Sequence, residues 1–228
     1  MRSLQTPTGT IPRTVGGVSW LGTDINYLEV WETQKRIAVE RANGTTQDTL
    51  LLLEHSPVYT AGPRALREHV IGMLDAPLVD TDRGGQITYH GPGQLVGYPI
   101  VGLISKGLGP KAYVRALEAS LVDALGELGV AAHTENGLTG VWTARGKIAA
   151  IGVRITRGVA MHGFALNVTT DLASYAPIIP CGIDDRPVTS VAEILTEAVP
   201  DAEVVRRTIV VSLGVHLAID WRIDLQHP

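Results

Sequence analysis

Short apolar runs bounded by Gly- and Pro-rich turns recur along most of the chain. Runs of about four to eight residues with this pattern predict β-strands. The predicted strands are residues 16–21, 49–54, 78–82, 97–102, 130–134, 140–142, 147–156 and 159–168. Arg157 and Gly158 alone separate the last two strands, and this short connection predicts a β-hairpin.

Three longer segments carry apolar residues at helical spacing, namely residues 27–43, 110–128 and 202–218. The middle segment has the clearest pattern, because an apolar residue returns every few positions at Tyr113, Leu117, Leu121, Ala124, Leu125 and Leu128. Gly129 then ends the helix. Strands and helices follow one another without regular βαβ alternation. The predicted fold class is therefore α+β, a mixed sheet covered by helices.

The composition limits the domain count and the classes of partner. The chain has 228 residues, 45% of them hydrophobic, and no Ser-, Gly- or Pro-rich linker interrupts it. We therefore expect one domain, residues 1–228. A net charge of −4 and a pI near 6.0 argue against nucleic acid and anionic membranes as partners, because such binding usually needs a basic face. Since no long apolar seam is visible, we expect a monomer.

The ends of the chain and its cysteine content bear on the compartment. Residues 1–17 are rich in Thr, Pro and Gly and lack the apolar stretch of about 7 to 15 residues that a secretory signal needs. The apolar segment 208–221 is shorter than the roughly 20 residues that span a bilayer. Cys181 is the single cysteine and cannot form an internal disulfide, which suits a reducing compartment. These features predict a cytoplasmic protein.

A glycine-rich segment, residues 83–94, is the first candidate for chemistry. It reads RGGQITYHGPGQ. Glycines let backbone N–H groups approach a ligand closely, and Arg83 and His90 add polar side chains. The alternative is a cluster of β-turns that merely connects two strands. Neither a GxxxxGK[ST] motif nor a GxGxxG motif after a strand occurs, so a nucleotide site has no motif support.

Cys181 lies in the segment IIPCGI, residues 178–183. Pro180 fixes the approach of the chain and Gly182 allows a sharp turn after the sulfur, a context that exposes the thiol. We expect this turn to present the N–H groups of Gly182 and Ile183 toward an oxyanion, as acyl transfer requires. The alternative is a cysteine that packs as a small hydrophobic residue.

Lys147 is the second candidate for a catalytic group, because it opens a strand whose alternate residues are Ala149, Ile151, Val153 and Ile155. If the strand alternates regularly, Lys147 lies at the rim of this apolar face, where an ammonium can act on a nearby thiol. The opposite face carries Ile148, Ala150 and Gly152 and leaves room for a ligand. The alternative is a strand-end lysine that reaches into water.

The seven histidines show no HxxxH or HxH spacing, so the sequence does not support a metal site. His90 and His162 each adjoin a glycine within a candidate site segment. A hydrogen-bonded structural imidazole is the default interpretation of both.

Taken together, these segments resemble the LipB family of lipoyl(octanoyl) transferases. The resemblance is carried by RGGQITYHGPGQLVGYP at 83–99, GKIAAIGVRI at 146–155, HGFALNV at 162–168 and IIPCGI at 178–183. LLLEHSPVYTAG at 51–62 also resembles the family. The resemblance covers about residues 48–190, and no motif position departs from it.

This resemblance implies a biotin/lipoyl-ligase catalytic fold and a cysteine-dependent acyltransferase. The enzyme would move octanoate from octanoyl-acyl carrier protein to a lysine of lipoyl domains, the first step of lipoate biosynthesis, without a cofactor. The acceptors would be lipoyl domains of 2-oxoacid dehydrogenases and the glycine cleavage H protein. Cys181 would be the thioester nucleophile, Lys147 its partner and His162 a candidate auxiliary group. The implied substrate-binding residues are Arg83, Gly84, Gly85, Gln86, Ile87, Thr88, Tyr89, His90, Ala150, Ile151, Gly152, Gly163, Phe164 and Ala165.

Three alternatives remain at this point. An ATP-dependent lipoate or biotin ligase shares the expected fold but needs no nucleophilic cysteine. A cysteine thioesterase shares the first half-reaction and uses water as acceptor. A non-catalytic acyl-binding module would only pack Cys181 beside a pocket.

Overall fold

Eleven β-strands and four α-helices make up the computed structural model, which describes residues 13–183 and 185–223. Most of the Thr-, Pro- and Gly-rich start discussed above lies outside these residues. The strands are β1 (Thr14–Trp20), β2 (Asp48–Leu53), β3 (Val58–Ala61), β4 (Leu78–Asp80), β5 (Ile87–His90), β6 (Gln94–Ile100), β7 (His133–Glu135), β8 (Leu138–Thr143), β9 (Gly146–Thr156), β10 (Val159–Asn167) and β11 (Ile219–Ile223). The helices are α1 (Tyr27–Ala42), α2 (Pro110–Glu127), α3 (Val191–Leu195) and α4 (Ala202–Leu217).

The main sheet has eight strands in the order β11-β1-β2-β6-β10-β9-β8-β7. The pairs β11–β1 and β1–β2 are parallel, and the pairs from β2–β6 onward are antiparallel. The predicted hairpin between β9 and β10 is confirmed, since Arg157 and Gly158 take left-handed φ angles of 48° and 76° at its turn. This hairpin carries Lys147 at one end and His162 near the other.

The helices cover both faces of the main sheet. Helices α2 and α4 pack together on one face around a core that includes Tyr113, Leu117 and Leu213. Helix α1 covers the other face through Val30 and Ile37. Its start is capped by the Asn26 side chain, which accepts hydrogen bonds from two backbone N–H groups of the first turn. The predicted α+β class is confirmed by this arrangement.

A second sheet of three strands, in the order β4-β3-β5, lies beside the main one. Its own core contains Tyr59, Ile87, Tyr89, Tyr175 and Ile178. This small sheet supports the candidate site, because Tyr175 and Ile178 of the segment before Cys181 pack into its core.

Several predicted boundaries need correction. Strands β3, β5 and β11 and helix α3 were not predicted, and β5 lies inside the glycine-rich segment that was interpreted as a loop. The predicted strand 130–134 begins only at His133, because Val130 instead closes the end of α2 with a hydrogen bond to the Leu125 carbonyl. None of the helices in the described ranges is long and apolar enough to cross a membrane.

Candidate active site

The side chains of Cys181 and Lys147 meet, with Lys147 Nζ 3.3 Å from Cys181 Sγ. The chain that follows Cys181 turns back and pairs with the start of β9. In this pairing Lys147 donates its N–H to the Pro187 carbonyl and accepts from the Thr189 N–H, both at 2.9 Å. Cys181 and Lys147 are 34 positions apart, and these two backbone hydrogen bonds hold the chain after Cys181 against Lys147.

Cys181 occupies a tight 3₁₀ turn, Pro180–Gly182, with a left-handed φ of 58°. The turn uses the two N–H groups that we expected at an oxyanion. Gly182 N donates to the Ile179 carbonyl at 3.2 Å and Ile183 N donates to the Pro180 carbonyl at 3.0 Å. That expectation is wrong, because both donors are needed to close the turn itself.

A register shift in β9 corrects the predicted position of Lys147. Val141 pairs with Ala149 and Trp142 with Lys147, so β9 holds one extra residue, Ile148, as a β-bulge. Ile148 and Ala149 are consecutive yet both are buried in the main core. The prediction that Ile148 shares a face with Ala150 is therefore wrong, since the bulge interrupts the alternation. Lys147 instead contacts Cys181, beside Ala150.

Lys147 is buried, with 7% of its surface exposed. Its ammonium lies 5.2 Å from the centre of the Trp142 ring, a distance at which the ring face attracts a cation. Among the described residues, no carboxylate forms an ion pair with it. The hydrogen-bond partner of the ammonium in this part of the structure is the sulfur of Cys181.

A pocket that is open to solvent extends from Cys181. Small and aromatic residues dominate its wall, which consists of Tyr27, Arg83, Gly84, Gly85, Gln86, Thr88, His90, Tyr98, Ala150, Ile151, Gly152, His162, Gly163, Phe164, Ala165 and Cys181. Nearly every predicted substrate-binding residue is thus brought to one cavity.

Ile87 and Tyr89 are the two predicted pocket residues that the structure places elsewhere. Both lie on β5, where side chains alternate between faces. Thr88 and His90 point to the pocket, whereas Ile87 and Tyr89 pack into the core of the small sheet. The segment was interpreted as a loop, so its alternation was not anticipated.

Arg83 lines the pocket, but its guanidinium is committed to the protein. It donates to Thr60 through three hydrogen bonds of 2.6–3.1 Å, to the Gly84 carbonyl at 3.1 Å and to the Gln86 carbonyl at 2.7 Å. Burial lowers the pKa of Arg83. These bonds fix the backbone of the glycine-rich segment, so Arg83 shapes the pocket wall.

Gly152 lines the pocket, but the space beside its Cα is filled by the protein. A Cβ at this position would lie 2.5 Å from the Gly84 carbonyl oxygen. The missing side chain is therefore replaced by the backbone of the glycine-rich segment, which also donates from Gly84 N to the Val153 carbonyl at 2.9 Å. Gly152 allows this segment to pack on β9 and form the wall.

The two histidines differ in their surroundings. His90 is buried, and its ring nitrogens contact Gln94 Oε1 at 2.7 Å and Thr60 Oγ1 at 3.2 Å. Burial holds the pKa of His90 well below its usual value, so the ring stays neutral. His162 Nε2 contacts Asp82 Oδ1 at 2.7 Å, and burial lowers its pKa despite this carboxylate. His90 is thus a structural imidazole.

His162 lines the same pocket as Cys181. Its Nε2 contacts the Asp82 carboxylate, so the ring faces a charged group of the protein as well as the pocket.

Sequence reasoning missed Tyr27 and Tyr98, which also line the pocket. Burial raises the pKa of Tyr27 to about 12, and Tyr98 is hydrogen-bonded to His55 Nε2 at 2.7 Å. Tyr98 lies within the segment that carried the resemblance, but nothing distinguished it from a core aromatic. Within the described ranges, no group of three or more His, Cys, Asp or Glu side chains is placed to hold a metal ion.

Comparison with known proteins places this geometry in a class. The protein Ta0514 from Thermoplasma acidophilum, described as a putative lipoate protein ligase, superposes with a TM-score of 0.69 at 19% identity. The match covers 92% of this chain and 88% of that one. The fold is therefore that of the biotin and lipoate ligase catalytic domains, as predicted.

Sequence similarity is more specific. The family model of the lipoyl protein ligase A/B catalytic domain matches residues 26–211. An octanoyltransferase of Mycolicibacterium gilvum is 47% identical over 91% of this chain and 87% of its own length. An octanoyltransferase of Mycobacterium tuberculosis is 50% identical over 82% of this chain and 81% of its own. The chain belongs to the lipoyl protein ligase A/B catalytic domain family, and the predicted resemblance is confirmed.

Proposed function

We propose that this chain transfers octanoyl groups from acyl carrier protein to a lysine of lipoyl domains through a thioester on Cys181, the first step of lipoate cofactor biosynthesis. Octanoyl transfer is the activity that the names of the curated relatives state. The observation that carries the covalent route is the contact of 3.3 Å between Lys147 Nζ and Cys181 Sγ at one end of the pocket.

In the first step the Cys181 thiolate attacks the carbonyl carbon of the octanoyl thioester. The new C–S bond forms, the bond to the carrier's pantetheine sulfur breaks, and the pantetheine thiolate takes a proton from Lys147. A free thiol is mostly protonated at neutral pH, so the neighbouring ammonium has to favour the thiolate. One thioester replaces another, and the exchange needs no ATP.

In the second step the amine of the acceptor lysine attacks the Cys181 thioester. The amide bond forms and the bond to Cys181 sulfur breaks. An amine with a pKa of about 10.4 is mostly ammonium at pH 7 and has to lose a proton before it can attack. The acceptor ammonium releases this first proton to solvent, and neutral Lys147, left by the first step, accepts the second proton that the nitrogen loses as the amide forms, so that Cys181 leaves as thiolate beside a protonated Lys147. Amide formation from a thioester runs downhill, so again no nucleotide is consumed.

We expect the acyl chain to lie along β10 in this pocket. Ala165 pairs with Ala150 near the sulfur end, and Gly163 pairs with Gly152 farther along. The three residues from Ala165 to His162 span about 10 Å at roughly 3.3 Å per residue. Each buried methylene stabilises the bound state by about 0.8 kcal/mol, so a chain of this length supplies several kcal/mol.

The partners follow from this chemistry. The donor is octanoyl-acyl carrier protein, and the acceptors are lipoyl domains of 2-oxoacid dehydrogenases and the glycine cleavage H protein. We place the reaction in the cytoplasm, because a free nucleophilic thiol requires a reducing compartment. The active species is a monomer, because all of the site residues named above belong to one chain.

The test is detection of the acyl-enzyme. Incubation with octanoyl carrier protein alone should add one octanoyl group to Cys181 by mass spectrometry, and a lipoyl domain should then remove it as an amide. Cys181→Ala should stay folded and lose transfer by at least about a thousandfold, as removal of a covalent nucleophile does.

Each alternative gives a different result in the same experiment. Hydrolysis of the adduct at the same rate with and without the lipoyl domain indicates a thioesterase. Transfer that depends on ATP and free octanoate indicates a ligase. Substantial transfer by folded Cys181→Ala rejects covalent catalysis at this residue.

A further inference from the structure

The carboxamide of Gln86 is a polar group that the proposed mechanism has not used. Gln86 lines the pocket together with Cys181. Its Oε1 is buried and has no hydrogen-bond partner among the described residues. A buried polar atom without a partner destabilises the fold, since it loses its hydrogen bonds to water. Such an atom beside a reactive thiol points to a group that is satisfied only when substrate is present.

The carboxamide lies against the residue that follows the nucleophile. A Cβ on Gly182 would overlap it and would lie 2.7 Å from Gln86 Cδ. Rotation by 180° about the last side-chain bond exchanges the oxygen and the NH₂ group within the same space. The NH₂ group of Gln86 can therefore take the place of its oxygen next to Gly182 without movement of the backbone.

The backbone of Gln86 is held on both sides. Its carbonyl accepts from Arg83 Nη2 at 2.7 Å and from Gly62 N at 3.2 Å. These bonds do not involve the carboxamide and fix the point from which it extends. A donor that is held in place before the reaction stabilises developing charge with little reorganisation.

The usual donors of an acyl-transfer site are occupied here. Both transfer steps pass through a tetrahedral intermediate in which the carbonyl oxygen carries negative charge, and this charge needs a hydrogen-bond donor. The N–H groups of Gly182 and Ile183 are committed to the turn, and the guanidinium of Arg83 is bonded to the protein. Tyr27 Oη and His162 Nδ1 also line this pocket without a partner among the described residues, but the carboxamide of Gln86 is the group that lies against the residue after Cys181.

We propose that the side-chain N–H of Gln86 donates to this oxyanion in both steps. The proposal rests on the proposed function, since it assumes a thioester on Cys181. Gln86 transfers no proton: as the C–S bond forms, the carbonyl π electrons move onto oxygen and the hydrogen bond strengthens. When the intermediate collapses, those electrons re-form the carbonyl and expel the leaving group. Gln86 thereby becomes a catalytic residue.

The decisive variant is Gln86→Met, which keeps the length of the side chain and removes its donor. We expect the rate of Cys181 acylation by octanoyl carrier protein to fall about 100-fold or more, the effect of losing one such donor. Alkylation of Cys181 by iodoacetamide should change less than about threefold, because this displacement at a saturated carbon forms no oxyanion and serves as the internal control.

A second readout uses octanal, which adds reversibly to the thiol and places an oxygen where the oxyanion forms. Its inhibition constant should rise in Gln86→Met, while that of octanoate should stay within about threefold. Unchanged acylation, or acylation and alkylation that fall together, overturns the proposal. If wild type forms no octanoyl thioester at Cys181, the proposed function fails as well, whereas a wild-type thioester with unimpaired Gln86→Met rejects the role of Gln86 alone.

Discussion

Two buried lysines lie in different regions of this molecule and have different hydrogen-bond partners. Lys106 lies where β1, β2 and the turn after β6 meet, with its Nζ 3.4 Å from Asp48 Oδ2 and 2.6 Å from Thr14 Oγ1. Asp48 also pairs with Arg41 at 2.7 Å. Lys147 has no such carboxylate among the described residues, and its ammonium faces the thiol of Cys181.

This difference indicates that Lys106 is structural, whereas Lys147 is placed to take part in chemistry at Cys181. Burial lowers the pKa of Lys106, and the Asp48 carboxylate opposes that shift. The neighbour of the Lys147 ammonium is a thiol instead. We therefore expect Lys147 to move a proton and Lys106 to be structural.

The largest expected effect is at Lys147. Lys147→Ala should lower octanoyl transfer by about 10²- to 10⁴-fold, because a positioned proton relay is worth that much. It should also slow iodoacetamide alkylation of Cys181 at pH 7, since the thiolate loses its neighbouring cation. Lys147→Arg keeps the charge but does not release a proton near neutral pH. It should alkylate readily and still fail to turn over.

The measurement is a pH series of alkylation rates beside transfer rates for the three proteins. If both variants alkylate with the wild-type pH profile, Lys147 does not act on the sulfur. The distinction between the two lysines would then be lost.

The next effect is on stability, at the other lysine. Asp48→Ala leaves Arg41 and Lys106 without a counter-charge and should lower the free energy of unfolding by about 3–5 kcal/mol. Urea unfolding measures this change. The double variant Asp48→Leu/Lys106→Met should recover much of it, because Lys106 then needs no partner. Transfer per folded molecule should stay within about twofold in both proteins, and a specific loss of activity would make Lys106 more than structural.

A buried imidazole extends the comparison to histidine. His55 contacts the Ile25 carbonyl at 2.9 Å and Tyr98 Oη at 2.7 Å, and burial lowers its pKa to about 4. As the pH falls, the unfolded chain binds this proton first, near pH 6.5, and the folded protein only near pH 4. The free energy of unfolding should therefore decrease by up to ~3 kcal/mol between these values.

The check is chemical unfolding at pH 7 and pH 4.5 in wild type and His55→Gln. The variant lacks this titration, so its stability should depend less on pH over that window. An equal loss of stability in both proteins would show that His55 does not remain neutral through burial.

The smallest effect is expected in the pocket wall. Ala150→Val adds two methyl groups near the sulfur end of the pocket and should shift the preference from octanoyl toward hexanoyl carrier protein about tenfold, the usual scale of discrimination by one methylene or two. The ratio of kcat/KM values for the two donors measures it. An unchanged ratio in Ala150→Val would show that the acyl chain does not lie against this residue.

Gly152→Ala should instead lower stability, because its Cβ meets the Gly84 carbonyl.

The sequence predicted elements whose pattern is local. Helix α2 was found with its boundaries nearly correct, and so was the β9–β10 hairpin, because apolar spacing and turn residues specify them. Strand β5 was missed because its four residues lie among glycines and pair with β3, which is distant in the chain. Pairing of this kind leaves no periodic signal in so short a segment.

The site shows the same limit. Cys181 and Lys147 were singled out by their local contexts, and the family resemblance joined them into a pair. The β-bulge at Ile148 was not predicted, because it depends on the register with β8. The hydrogen bonds that the N–H groups of Gly182 and Ile183 make within the turn were not predicted either, because they depend on the way the turn closes.

The left-handed backbone of Cys181 has an evolutionary consequence. A residue with a Cβ pays about 1–2 kcal/mol in this region, a cost that glycine avoids. A sequence optimised for the stability of this turn alone would therefore carry glycine at position 181 and would lose the nucleophile that we propose. With its φ of 58°, position 181 is a point where the demands of catalysis and of stability oppose each other.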